Sequence, residues 1–86
     1  MEKEKELRIA SVLITIEKNS SEVADVNRVL SNYSAVILAR QGLSLPNRNF
    51  NIITLIFEAE VNTINSFAGK IGRIPKVCIK VLMTKK

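Results

Sequence analysis

Two short stretches of this chain place a cation beside unusually free backbone. Arg40-Gln41-Gly42 sets a planar guanidinium fork next to a glycine, and that fork matches the paired oxygens of a carboxylate or phosphate. Gly69-Lys70-Ile71-Gly72-Arg73 spells G-x-x-G with two bases, a pattern that in some RNA-binding domains joins two helices and clamps a phosphate backbone. Here Pro75 and a strand-like run follow within a few residues, which leaves no room for a second helix. The glycines read more simply as places where a helix end approaches a sheet or turns tightly. The candidate ligand-binding residues are thus Arg40, Gln41, Gly42, Gly69, Lys70, Gly72 and Arg73, and the ligand they suit is a small acidic molecule. The competing reading of Arg40 is an edge-strand charge that blocks aggregation, with Gly42 marking a bulge.

Catalytic chemistry is poorly served. The chain has no histidine, which removes the commonest general base and the commonest metal ligand. Its one cysteine, Cys78, sits within an apolar run and reads as a small packing residue. Glu58 and Glu60 share one strand face, but no nucleophile accompanies them. No enzyme activity, metal or cofactor is expected.

The elements that position these residues follow from periodicity. Arg8 to Glu17 alternates, with Ala10, Val12, Ile14 and Ile16 forming one continuously apolar face. Asn19-Ser20-Ser21 offers a serine cap, and Val23, Val26, Leu30 and Tyr33, with Val29 alongside, recur at helical spacing. A second strand runs from Val36 to about Leu43, and Pro46-Asn47-Arg48-Asn49 is turn chemistry. Phe50 to Glu60 splits by parity into an apolar side (Ile53, Leu55, Phe57, Ala59) and a mixed side. Asn62-Thr63 reads as the cap of a second helix with Ile64, Phe67, Ala68 and Ile71 inward, ended by Pro75. Val77 to Met83 closes the chain as a strand. The order βαββαβ gives two crossovers, and interleaving them yields an α+β, ferredoxin-like sandwich. Its four-stranded antiparallel sheet has strands one and three central and both helices on one face.

That leaves the other face uncovered. It presents Ile9, Leu13, Ile52, Ile56 and Leu82, relieved by Ser11, Thr15, Thr54 and Lys80. A wet sheet face is usually polar, and five large aliphatics exceed what monomers normally expose. These five are therefore the expected interface of a homodimer or higher oligomer. The face also lacks the aromatic platform that an RNA-recognition sheet needs, because Phe57 points to the helices. A copper-chaperone reading fails for want of paired cysteines, and an acylphosphatase reading for want of a glycine-rich first loop.

At 86 residues the chain is one domain, residues 7–86, behind a charged leader at 1–6 expected to be disordered. No signal peptide or membrane span is expected, so the location is cytoplasmic. Net charge is +5, unevenly placed: residues 1–34 carry five bases and six acids, residues 35–86 eight bases and two acids. The basic half keeps nucleic-acid binding as a rival function, and docking of a protein partner through the open sheet as a third.

Strand one, Val26-Asn27-Arg28-Val29-Leu30, Ile37-Leu38-Ala39-Arg40-Gln41-Gly42-Leu43 and Asn65-Ser66-Phe67-Ala68-Gly69-Lys70-Ile71-Gly72-Arg73-Ile74-Pro75 together resemble a small family. It is the iron-only hydrogenase system regulators, short ACT-like proteins related in fold to the C-terminal domain of nickel-responsive repressors. The resemblance implies a ferredoxin-like fold, self-association and a regulatory role. Family members usually read Gly-Arg-Met-Gly in strand two, where this chain has Ala39 and Gln41, and often carry glycine after the helix-ending proline, where it has Lys76. Amino-acid binding by ACT domains uses a proline-glycine pair in the first loop, and nickel sensing uses histidines. This chain has neither, so neither property transfers.

Overall fold

A computed structural model describes residues 6–85. The charged leader at 1–6 falls outside the described residues except for Glu6. Strands β1 (Arg8–Glu17), β2 (Ile37–Ser44), β3 (Phe50–Ala59) and β4 (Val77–Met83) form one antiparallel sheet in the order β2-β3-β1-β4. Helices α1 (Glu22–Asn32) and α2 (Val61–Gly72) make the two crossovers. The fold is the ferredoxin-like α+β sandwich, with β1 and β3 central.

Alternation in the two central strands decides which face is buried. Ala10, Val12, Ile14 and Ile16 of β1 and Leu55, Phe57 and Ala59 of β3 pack under Val26 and Leu30 of α1 and Ile64, Phe67 and Ile71 of α2. Three rings anchor this core. Phe57 and Phe67 have centroids 4.5 Å apart, and Tyr33 sets its edge to Phe67 at 5.2 Å.

Several local expectations are corrected. Ser21 stands at the start of α1 in helical backbone and makes no side-chain cap bond, so the serine cap is absent. Helix α2 begins at Val61, ahead of Asn62-Thr63, with extended Glu60 at its cap position. β3 ends at Ala59, so Glu60 does not share a strand face with Glu58. A short 3-10 turn, Ser34–Val36, delays β2 to Ile37. The bulge in β2 is not at Gly42. Ile37 pairs with Phe57 and Ala39 with Ile56, so Leu38 is the extra residue, whereas Gly42 pairs regularly with Ile53. The left-handed backbone positions are Asn19 (φ 58°) and Lys76 (φ 66°).

Candidate functional site

The bulge sets what each residue of β2 can do. Beyond Leu38, Arg40 pairs with Leu55, Gly42 with Ile53 and Ser44 with Asn51, all on the helix side. Ala39, Gln41 and Leu43 pair with Ile56, Thr54 and Ile52, on the open side. The Arg40-Gln41-Gly42 triplet is thus divided between the two faces of the sheet.

On the helix side, Gly42 leaves a gap. A β-carbon built there would meet nothing within 4 Å. Between β2 and α1 this opens a groove of about 350 Å³ whose floor includes Ile16, Val23 and Ile53 and whose polar wall is Asn27, Arg40, Ser44 and Asn51. Val23 and Asn27 lie one helical turn apart, so α1 turns both toward the edge strand. Arg40 donates from one guanidinium nitrogen to Asn27 Oδ1 at 3.1 Å, and among the described residues no carboxylate pairs with it. Asn51 Oδ1 is shielded from solvent and accepts no hydrogen bond.

The Gly69–Arg73 segment is not part of this groove. It forms the last turn of α2 and the residue after it, and α2 packs mainly on β4, at the opposite edge from β2. Neither glycine takes a left-handed conformation. Gly69 faces open space, and a β-carbon at Gly72 would sit 3.8 Å from Ile79 Cγ2, an ordinary contact. The expected tight turn or close approach is therefore absent. The chain instead turns at Lys76, after Pro75, and the Lys76 carbonyl accepts the Glu17 N–H at 3.1 Å. Lys70 lies over the Tyr33 ring, 5.3 Å from its centroid.

On the open side the strand registers line up three rows across the sheet. They are Ala39–Ile56–Ser11–Leu82, Gln41–Thr54–Leu13–Lys80 and Leu43–Ile52–Thr15–Cys78, with Ile9 beside Glu58 at one end. Leu82 is 76 % exposed, Leu43 51 % and Leu13 40 %. Cys78 is exposed here and fills no core space, because parity turns it away from the helices. A broad depression of about 570 Å³ on β2 and β3 is lined in part by Ala39, Gln41, Thr54 and Ile56.

Comparison with known proteins places this arrangement. The family model described as "Iron-only hydrogenase system regulator, putative", the TM1266-like family, matches residues 8–81. The chain belongs to that family. A solved member of similar architecture, protein TM1266 from Thermotoga maritima, superposes with a TM-score of 0.88 at 32 % sequence identity, covering 93 % of this chain and 100 % of the other. No curated protein matches. Among the described residues no helix is long and apolar enough to cross a membrane, and no three histidine, cysteine or acidic residues cluster as metal ligands.

Sequence reasoning missed Leu43, Ala39 and Gln41 as members of the open face, and Asn27, Ser44 and Asn51 as walls of the groove. The alternation Arg40-x-Gly42-x-Ser44 and the Val23–Asn27 spacing carried the second signal. The bulge hid the first.

Proposed function

We propose that this chain is a non-catalytic regulatory protein of an iron-only hydrogenase system, that its copies assemble through the open sheet face, and that it senses a small ligand. Family membership supports the regulatory role. The observation that carries assembly is the row arrangement, which gathers Ile9, Leu13, Ile52, Ile56 and Leu82 with Leu43 on a face no helix covers. Full burial of an exposed side chain of this kind is worth ~1.5–3 kcal/mol, and the six together, half-buried Ile9, Ile52 and Ile56 contributing less each, must outweigh the freedom that copies lose on pairing. The apolar face favours self-pairing over a polyanion, since a single cation, Lys80, stands within its three rows.

Sedimentation equilibrium tests this reading. The chain should sediment as a dimer or larger species at micromolar concentration, and Leu13→Asp, at a partly exposed position, should be a folded monomer. A wild-type monomer overturns the assembly. Nucleic-acid binding retains one supporting feature: residues 61–86 hold six bases and no acid. A gel shift that fades steeply with added salt would favour it.

A further inference from the structure

We infer that the groove between α1 and β2 is a binding site for a small organic carboxylate with an apolar body and a hydrogen-bond donor near its acid group. The inference rests on the ligand-sensing part of the proposed function and gives that part a place and a chemistry. Three independent features converge there. Arg40 spends one nitrogen on Asn27 and has no carboxylate partner among the described residues, so donors of its fork remain for an incoming acid. The Asn27 contact holds the guanidinium against α1, which lowers the ordering cost of a second bond.

The floor supplies the second feature. Gly42 omits a side chain where the neighbouring strand carries Ile53, and the gap leaves a groove in which a hydrocarbon group would lie on half-buried Val23 and the outer edges of Ile53 and Ile16, both otherwise buried. An inorganic anion would gain nothing from that floor. The third feature is the unmet Oδ1 of Asn51, a shielded acceptor that costs free energy until a donor reaches it. A hydroxyl or amine beside the acid would satisfy it, and Ser44, paired with Asn51 across the strands, adds a further polar contact. Placing an acid at Arg40, hydrocarbon on Ile53 and a donor at Asn51 uses each wall for the interaction it can make.

The test is titration of the uniformly nitrogen-labelled full chain, followed by amide chemical shifts. The probes are α-hydroxyisovalerate, isovalerate and inorganic phosphate at millimolar concentration. Saturable shifts are expected at Asn27, Arg40, Gly42, Ser44 and Asn51, strongest for the hydroxy acid and weakest for phosphate. Arg40→Ala should weaken binding by about tenfold or more. Gly42→Val should do the same by filling the groove, while melting no lower than wild type because its β-carbon meets open space and a β-branched residue suits a strand. Phosphate binding as tightly as the acids would overturn the carboxylate assignment. Saturable shifts centred elsewhere, or unaltered by both variants, would overturn the groove but leave ligand sensing standing. Absence of saturable shifts from all three probes would overturn both. Sedimentation of the same samples reports assembly separately.

Discussion

Lys70 Nζ stands 5.3 Å above the ring of Tyr33, whose hydroxyl lies 3.2 Å from Ser66 Oγ. Two residues one helical turn apart on α2 thereby hold the residue that ends α1, and the most suggestive cation of the G-x-x-G segment is engaged by a ring of its own chain at the surface. The arrangement has an electrostatic signature. The Ser66 hydrogen bond, and after it the bond and charge of Lys70, hold the Tyr33 phenol below its ordinary value, against an opposing push from burial.

Tyr33 is the only tyrosine and the chain has no tryptophan, so its ionisation can be read directly from ultraviolet absorbance. The midpoint should fall below about 10 and rise toward it in Ser66→Ala and, less, in Lys70→Ala. A pKa lowered in the folded state favours folding fully above the unfolded value, and the gain disappears as pH falls through the lowered one. Ser66→Ala should thus melt near wild type at neutral pH and fall behind it only in alkaline solution.

Gly69 should be replaceable. It lies within α2 at normal helical backbone with open space beside it, and glycine in a helix costs roughly 0.5–1 kcal/mol relative to alanine. Gly69→Ala should raise the urea midpoint by an amount of that order. A loss of stability would show that the glycine serves a contact beyond the isolated chain.

Lys76 holds a left-handed conformation that costs an L-residue roughly 1–2 kcal/mol. Glycine removes that strain but loses more chain entropy on folding, so Lys76→Gly should stabilise by about 1 kcal/mol or less. Lys76→Val should destabilise clearly. Chemical denaturation of the three proteins side by side gives the order.

Phe67 is fully buried against Phe57, and Phe67→Ala should cost about 3–5 kcal/mol. A chain of this length has roughly 4–13 kcal/mol in total, so the variant should be largely unfolded or melt far lower by circular dichroism.

The legible parts of this fold were those where pattern and burial repeat. β1 and β4 lie where their alternation places them, because ten and seven residues of strict parity admit one buried face. β3 shares that logic along most of its length. β2 was only half readable: it is an edge strand with nearly every side chain exposed, and the extra residue at Leu38 shifts its parity without a sequence mark. Helix stripes were legible through Val26, Leu30, Ile64, Phe67 and Ile71, whereas helix starts were not. Ser21 and Asn62-Thr63 are cap-forming types, yet backbone geometry set elsewhere keeps their side chains from capping. Gly72 misled for a related reason. It is the last residue of α2, in ordinary backbone beside buried Ile71, and neither a left-handed turn nor a contact too close for a side chain calls for a glycine there. The family's glycine after the proline was the better clue, since Lys76 at that place keeps the backbone a glycine would take.

β2 is an edge strand with nearly all its residues exposed. Arg40 and Gly42 look into the crevice beneath α1, while Gln41 and Leu43 look outward from the same few bonds. The partition between a bound acid and a neighbouring subunit would be one ribbon of peptide thick. Whatever shifts that ribbon on one side would also move the side chains on the other.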